Sequence, residues 1–560
     1  MISILVGIVI VIFLIAYIFY GRFLAGKVAL NNNLPTPACR INDGIDYVPA
    51  KHTLLLGQHF SAIAAAGPIV GPVLACLWFG WLPALIWIVL GAIFIGGTHD
   101  FFALVASIRH DGASIGEVVK KYMPGRSYKF FLIFVWFALI YVVIAFTDIT
   151  AHTFKTTIEG ASFGPAVAAS SVLYLFLAMA MGLALYKFKV KLLYATTIFL
   201  PLMLFVVWSG PHLPETVLKA FSVFSVKQWD VIILFYCLVA SLIPVWLLLQ
   251  PRGFLGGWFL YLVIAIGLAG ALFGGFKIEF PALNLNGIAS AVNGKNIFPL
   301  LFITVACGAC SGFHGIVSSG TTSKQLKNES DSVVIAYGAM LLEGLVAVLA
   351  IATVMMLPKT SNILKSEPNL IYAHGIASYL GLIKIPYEVA FAFALLAFST
   401  FVYDTLDVCT RLARYCLQEL MGWSSKKGMY LAGVISVMVP FLFLMTTKEK
   451  GYLVAWPIFG TSNQLLASFI LLAVSVWLMH MGKKVYHVFP PMIFMFVVTI
   501  WSLVGLIIPF VKSLSAAGKI APSSDIFISG MCGICLLGLS AMLIWEARKV
   551  FRLEKPLRNN

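Results

Sequence analysis

The sequence predicts an all-α membrane protein, a polytopic transmembrane helix bundle of about fifteen spans. Of its 560 residues, 61% are hydrophobic and only 11% are charged, whereas a soluble domain carries roughly 25% charged residues. The apolar residues form continuous runs of about 20, the length that a helix needs to cross a bilayer. A membrane β-barrel would alternate polar and apolar residues instead. Composition and pattern therefore exclude a soluble enzyme, a disordered chain and a barrel.

Each apolar run gives one predicted span. The first is too long for the core of a signal peptide and has no clear cleavage site, so we interpret it as an uncleaved helix. The predicted spans cover residues 2–23, 53–79, 82–108, 130–149, 163–186, 192–208, 231–249, 254–276, 297–320, 333–357, 387–408, 429–445, 452–480, 488–510 and 526–545. The longest polar stretches are 25–52 and 358–386.

The positive charges predict the orientation. The chain has 38 Lys and Arg against 22 Asp and Glu, a net charge of +16. If the N-terminus lies outside and the spans alternate, 26 of these 38 basic residues fall in cytoplasmic segments, as the positive-inside rule requires. We therefore expect a multi-pass protein with an outside N-terminus and a basic cytoplasmic tail that includes Lys555 and Arg558. We expect the protein to lie in a lipid bilayer and not to bind nucleic acid.

The nine cysteines lie mostly within apolar runs. The pairs Cys307–Cys310 and Cys532–Cys535 have CxxC spacing, but both fall inside predicted spans. We interpret them as small buried hydrophobic residues, with a metal or redox role as the alternative. The sequence thus predicts no cofactor, no metal and no disulfide framework.

Span two contains two Gly-Pro steps, Gly67-Pro68 and Gly71-Pro72. Proline lacks an N–H group and clashes with the preceding turn, so we expect the helix to be interrupted near the middle of the membrane. Unwound backbone is tolerated there only beside protein or a water-filled cavity. Its free amides would favour an anion. The alternative is a proline kink without a ligand.

Span nine is a second predicted interruption, rich in Gly and Ser from residue 306 to 323 and containing Ser311 and His314. Its alternative is tight helix packing through small residues. Spans two and nine run in opposite directions in the charge map, an arrangement typical of inverted-repeat transporters with a midplane site. We accordingly divide the chain into a first helix and loop (1–52), a first repeat with inserted helices (53–296), an inverted second repeat (297–480) and two peripheral helices with the tail (481–560).

Ionisable residues inside spans are costly and usually face a cavity or a partner. Asp100, Glu343 and Asp407 are the acidic candidates for proton coupling, with Glu343 favoured because it has no local partner. Asp407 has the alternative of pairing with Arg411 one turn later. His59 and His314 either contact the substrate or are hydrogen-bonded packing residues.

Two smaller predictions complete the set of candidate residues. Residues 461–464, which include Asn463 and Gln464, follow a Pro- and Gly-weakened segment and are expected either to line the pathway or to bond between helices. Asp148 and His152 lie at a span end, where we expect them to be solvated.

Several of these stretches resemble the carbon-starvation CstA family of bacterial inner-membrane transporters, from about residue 20 to 480. The matching stretches are 42–49, 59–72, 106–117, 243–249, 311–314, 318–322 and 456–464. The resemblance implies uptake of pyruvate or peptides coupled to protons, and a LeuT-like inverted repeat with two discontinuous helices plus extra helices. Asp100, Glu343 and Asp407 look typical of the family. His99 replaces a glutamine and Asp404 is an extra acid, so neither inherits a role.

The predicted function is a secondary active transporter, not an enzyme. The first hypothesis is proton symport of a small carboxylate, most simply pyruvate. Its predicted substrate-binding residues are His59, Gly67, Pro68, Gly71, Ser311, His314, Asn463 and Gln464. The alternative is a peptide permease, in which Asp100 would receive the amino end of the peptide. An intramembrane enzyme built on Cys310, Ser311 and His314, or a channel, fits the sequence less well, and the oligomeric state is left open.

Overall fold

The protein is described by a computed structural model that covers residues 1–43, 47–64, 66–122, 125–158, 161–244, 246–285, 295–447, 451–517 and 524–553. Lys555 and Arg558 of the predicted basic tail lie outside the described residues. So do residues 44–46 and Val245, which belong to stretches that carry the family resemblance.

Helices make up most of the described chain, which confirms the all-α fold class. In chain order they are α1 (Ile2–Val28), α2 (Pro37–Ile41), α3 (His52–Ile63), α4 (Gly67–Phe79), α5 (Trp81–Leu90), α6 (Gly97–Ile108), α7 (Ile115–Tyr122), α8 (Gly125–Thr153), α9 (Gly164–Gly182), α10 (Leu192–Ser209), α11 (Glu215–Ser222), α12 (Val226–Leu242), α13 (Leu249–Phe273), α14 (Ile297–Thr304), α15 (Gly312–Gly320), α16 (Ala339–Met355), α17 (Pro368–Gly381), α18 (Tyr387–Met421), α19 (Lys426–Thr446), α20 (Gly451–His480), α21 (Phe489–Ala517) and α22 (Asp525–Leu553).

Short elements join or extend these helices. Turns of π-helix at Gly91–Gly96, Leu183–Lys187 and Val333–Gly338 continue α5 into α6, extend α9 and precede α16. Turns of 3₁₀-helix lie at Gly210–His212, Thr322–Lys324, Glu329–Asp331 and Asn362–Lys365. Two short strands, β1 (Thr157–Ile158) and β2 (Ala161–Ser162), pair antiparallel between α8 and α9.

By length and composition, twelve helices of the described chain, counted with their continuations, can cross a membrane, and two bent pairs raise the number to as many as fourteen. The pair α14 and α15 lies at the ninth predicted span and is separated by residues 305–311. Each of the fifteen predicted spans therefore overlaps a helix or a helix pair. The exact number of crossings stays a prediction.

The seventh predicted span, 231–249, has the wrong bounds. The helix begins earlier, at Val226, because Ser225 and Gln228 form a capping box at its start. It ends at Leu242, just before Pro244, and the next helix begins at Leu249. An angle of 94° separates α12 from the preceding α11.

The polar stretch 358–386 contains a helix that the sequence analysis missed. With 14 residues, α17 is about 21 Å long, too short for a hydrocarbon layer of about 30 Å. Its side chains are nevertheless mostly buried, including Tyr372 and Tyr379, and it packs against α13, α16 and α18. It is part of the helix bundle and not an exposed loop.

The bundle has a buried centre and an apolar periphery. In the apolar stretches of α18 and α20, 94% of the residues are buried inside the protein, against 28% in α1 and α22 and 17% in α10. Large apolar side chains such as Phe19 on α1 and Phe205 on α10 are exposed on the outer surface. This surface suits contact with lipid chains, and polar chemistry is confined to the central helices.

Two helices of the centre are interrupted. The first is broken between α3 and α4, which meet at an angle of 44°, and α4 begins at the first Gly-Pro step. The second Gly-Pro step does not interrupt the helix, because Pro72 lies inside α4. The other interruption separates α14 from α15, where Gly308 has φ of +84°, a backbone conformation that favours glycine.

Candidate functional site

The two interrupted helices contact each other at their breaks. A Cβ atom added to Gly67 would overlap Cys307, and one added to Gly71 would overlap the Thr304 carbonyl. A Cβ atom added to Gly308 would lie 3.7 Å from the Pro68 Cα atom. The glycines of both Gly-Pro steps are therefore needed for close backbone approach, and residues 305–311 lie against the first turns of α4.

The start of α15 is held by a residue of another helix. The Asn463 Oδ1 atom on α20 accepts a hydrogen bond from the Phe313 amide at 2.9 Å, and its Nδ2 group donates to Ser311 Oγ at 3.0 Å. The first amides of a helix have no partner within it, so Asn463 supplies the acceptor that a capping side chain normally gives. Ser311 and Asn463, both predicted substrate-binding residues, are thus brought together and buried.

The start of α4 has fewer free amides than the two Gly-Pro steps predict. Pro68 has no N–H group, and the amides of Ile69 and Val70 both donate to the Ala66 carbonyl, at 3.1 and 2.8 Å. Gly71 is packed against α14. In this conformation, polar groups converge at the start of α15 more than at the Gly-Pro steps.

Two carboxylates and two histidines form a buried cluster beside these breaks, which we call the proton cluster: His99 and Asp100 on α6, His314 on α15 and Glu343 on α16. The Nδ1 atoms of His99 and His314 lie 2.7 and 2.8 Å from the two Asp100 carboxylate oxygens. The Nε2 atom of His314 lies 3.1 Å from Glu343 Oε2. All four side chains have 0% exposure.

The contacts of the cluster determine where its protons can lie. If Asp100 is ionised it accepts hydrogen bonds only, so both Nδ1 atoms carry hydrogen, and the remaining proton of the His314–Glu343 pair lies on Nε2 or on Oε2. Neither Glu343 oxygen receives a well-aligned hydrogen bond from the described residues. Because both nitrogens of His314 face carboxylates, this histidine is not oriented to activate Ser311 or Cys310 as a nucleophile.

His59 and Gln464 hold other parts of the broken helices. The His59 Nδ1 atom lies 2.9 Å from Thr322 Oγ1, in the turn that follows α15. The Gln464 side chain donates a hydrogen bond to the Phe302 carbonyl of α14. Both contacts join separate parts of the bundle, and a role of these residues in binding substrate stays a prediction.

Asp407 lies apart from the proton cluster, in a group we call the arginine cluster. Arg252 on α13 contacts two acids of α18: its Nη1 atom lies 2.7 Å from Asp407 Oδ2, and its Nε atom lies 3.3 Å from Asp404 Oδ1. Tyr236 donates to Asp407 Oδ2 at 2.8 Å, and Ser61 of α3 donates to Asp404 Oδ2 at 2.9 Å. The side chains of Arg252, Asp404 and Asp407 are 3%, 6% and 1% exposed.

The structure rules out one alternative for Asp407 and corrects the expectation for Asp148. Asp407 does not form its close ion pair with Arg411, whose guanidinium donates instead to the carbonyls of Ala240 and Ile243, both at 2.7 Å. Arg252, the cation that Asp407 does contact, is buried in α13. Asp148 is not solvated: it has 0% exposure and accepts a hydrogen bond from the Tyr452 amide at 2.7 Å, because it lies where α20 begins.

Among the described residues, no group of three or more His, Cys, Asp or Glu side chains is arranged to hold a metal ion. The cysteines of that part of the chain are free thiols. Cys307 packs among Ser311 and Asn463, where it acts as a small contact residue.

Gly67→Val is expected to destabilise the protein by at least about 1–3 kcal/mol, the usual cost of overpacking, because its side chain would overlap Cys307 across the helix crossing. The thermal unfolding midpoint of the detergent-solubilised protein measures this effect. The matched control is Gly7→Val on α1, where nothing lies within 4 Å of an added Cβ atom. Equal midpoints for the two variants would contradict the close crossing.

Comparison with known proteins places the chain among transporters. The family model described as carbon starvation protein CstA matches residues 1–372 and 359–502. The peptide transporter CstA of Escherichia coli strain K12 is 33% identical, over 85% of this chain and 76% of that protein. The pyruvate/proton symporter BtsT of the same strain is 29% identical, over 88% and 80%.

A relative from another organism and a solved structure also align with most of this chain. The peptide transporter CstA of Helicobacter pylori strain 26695 is 31% identical over 84% of this chain and 77% of that protein. A crystal structure of a manganese transporter from Eremococcus coleocola covers 92% of this chain and 99% of that chain, with 13% identity and a TM-score of 0.46.

Proposed function

The chain belongs to the carbon starvation CstA family of membrane transporters, and from this premise we propose that it imports a small carboxylate, most simply pyruvate, together with a proton. Members of the family are named as transporters and not as enzymes. Its multi-span helices and its bacterial relatives support a place in the bacterial inner membrane. The outside N-terminus and the substrate remain proposals.

The observation that carries the proposal is the His314–Glu343 contact inside the proton cluster. Both side chains are fully buried, and a buried ionised group is costly unless a partner compensates it. A proton shared between Nε2 and Oε2 can leave or return only when the surrounding helices separate. Proton binding would thereby be coupled to a conformational change.

The proton cluster lies beside the place where we propose that the substrate binds. Gly308 of the unwound segment packs against Ala347, one turn of α16 after Glu343. His314 is the third residue of α15, the helix whose start Asn463 and Ser311 surround. A movement of the proton cluster would therefore displace the start of α15, and a movement of the start of α15 would displace the proton cluster.

The substrate carboxylate would replace the Asn463 Oδ1 atom as the acceptor at the start of α15. The Phe313 amide, the Ser311 hydroxyl and the Asn463 side-chain amide are donors, and a helix N-terminus favours negative charge. His59, Gly67, Pro68, Gly71 and Gln464 would hold the two broken helices around this position, and His314 would link it to the proton. In the described conformation the site is occluded, since Ser311, His314 and Asn463 are at most 2% exposed.

Symport of one proton with one monocarboxylate moves no net charge. The membrane potential then does no work on the cycle, whereas each uncompensated charge would cost about 2.3 kcal/mol per 100 mV. One pH unit is worth about 1.4 kcal/mol, so it can drive at most about tenfold accumulation.

A peptide substrate is the second candidate, because the CstA relatives from Escherichia coli and Helicobacter pylori are named peptide transporters. A peptide would need an acidic group for its amino end. The two Asp100 oxygens already lie 2.7 and 2.8 Å from the Nδ1 atoms of two histidines, so a peptide would have to displace one of these rings. This requirement favours the smaller anion.

Uptake of labelled pyruvate into proteoliposomes tests the proposal. With an inward proton gradient of one unit we expect accumulation approaching about tenfold, abolished by a protonophore and unaffected by replacing sodium with potassium. An excess of unlabelled dipeptide should not compete. Inhibition of pyruvate uptake by dipeptide would favour the peptide transporter, and uptake that depends on sodium alone would exclude proton symport.

A further inference from the structure

The arginine cluster contains more negative charge than its direct contacts compensate. Arg252 remains protonated in proteins, but it contacts two carboxylates, Asp404 and Asp407. If both acids were ionised, this contact group would carry one uncompensated negative charge in a buried position. Burial of an unpaired charge is strongly unfavourable, so one of the two acids is the natural place for a proton.

The contacts of the two acids are unequal. Asp407 receives Arg252 Nη1 at 2.7 Å and the Tyr236 hydroxyl at 2.8 Å, and Arg411 follows it by one turn of α18. Asp404 lies 3.3 Å from Arg252 Nε, an atom that makes no aligned hydrogen bond with the described residues. The negative charge of an ionised Asp407 is therefore better compensated by its neighbours. Asp404 has less positive charge close to it.

The surroundings of Asp404 contain no further cation in direct contact within the described part of the chain. Arg252 faces it from α13 and Tyr174 faces it from α9, while Asp407 lies one turn along its own helix. Ser61 contacts it from α3. A Cβ atom added to Gly256 would overlap Asp404 Oδ2, so the backbone of α13 also packs closely against the carboxyl.

The Ser61 hydrogen bond connects this acid to the first broken helix. Ser61 lies two residues before the end of α3, at the break, and two residues after His59. A hydroxyl bonds more strongly to an ionised carboxylate than to a neutral acid. The charge on Asp404 therefore affects how firmly the end of α3 is held against α18.

We propose that Asp404 is a second proton-binding site, separate from the proton cluster, which holds the end of α3 through Ser61 and releases it when the carboxyl is protonated. The link to the transport cycle rests on the proposed function. Proton binding at Asp404 does not, and it can be measured without substrate.

Infrared difference spectroscopy during a pH titration of the purified protein in lipid nanodiscs tests this site directly. A protonated buried carboxyl group gives a C=O stretching band that an ionised carboxylate lacks. We expect one such band in the unaltered protein to be lost in Asp404→Asn, because the remaining Arg252–Asp407 pair is charge-balanced. The same band should persist in Glu343→Gln, which alters the proton cluster only. Persistence of every band in Asp404→Asn would overturn the proposal.

Ser61→Ala identifies which acid holds the proton and keeps the test independent of folding defects in the acid variants. Removing the Ser61 hydroxyl should displace the titration midpoint of the Asp404 band, since Ser61 donates its hydrogen bond to Asp404 and not to Asp407 in the described chain. An unchanged midpoint would assign the proton to Asp407 and overturn the proposal. These spectra contain no pyruvate, so failure of pyruvate uptake would count against the proposed function and leave this result standing.

Discussion

Glu343→Gln is expected to abolish proton-driven accumulation of pyruvate, reducing the gradient-dependent component of uptake at least about tenfold, the full gain that one pH unit provides. Glutamine keeps the size of the side chain but cannot exchange a proton with His314 Nε2, 3.1 Å away in the described structure. Uptake into proteoliposomes, with and without an imposed pH gradient, measures the loss. Exchange of labelled for unlabelled pyruvate should persist, since exchange requires no net proton release.

The exchange measurement separates a coupling defect from an unfolded protein. The matched control is Glu388→Gln, which makes the same chemical change at an exposed position near the start of α18 and should accumulate pyruvate normally. Accumulation that is normal in Glu343→Gln would move the coupling proton to another residue. Loss of both accumulation and exchange would indicate that Glu343 is needed for substrate binding or for folding.

The membrane fold could be predicted from the sequence because its determinants are local. A run of about 20 apolar residues must be helical in lipid, and the break before Pro68 follows from a missing amide and a ring clash. Pro72 shows the limit of this reasoning. It has the same local chemistry as Pro68, but it lies inside α4, where Gly71 packs against α14.

The candidate site depends on contacts between residues far apart in the chain, which local patterns do not reveal. The sequence indicated Asp100, His314 and Glu343 separately as costly polar residues, but only the packing of α6, α15 and α16 shows that they touch. For Asp407 the sequence offered Arg411, one turn later, as the only alternative partner. Its actual partner, Arg252, is 155 positions away.

Arg252→Met is expected to produce the largest loss of stability, about 3–5 kcal/mol, the usual cost of removing one partner of a buried ion pair. The change would leave Asp404 and Asp407 buried without their cation, while Tyr236 and Ser61 supply only neutral donors. Thermal unfolding in lipid nanodiscs measures the loss. The control is Arg22→Met on the exposed face of α1, which should leave the midpoint nearly unchanged.

Neutralising the acids as well distinguishes lost charge balance from lost packing. In the triple variant Arg252→Met, Asp404→Asn, Asp407→Asn none of these three side chains carries a charge, and replacing a whole buried ion cluster by neutral groups is often close to neutral for stability. We expect it to recover most of the unfolding midpoint but not proton-driven uptake.

If Arg252→Met alone unfolds like the unaltered protein, the arginine cluster does not hold these charges. A triple variant that is both stable and fully active would show that the cluster is dispensable. A stable but inactive one would show that these charges are retained for transport, since the fold can form without them.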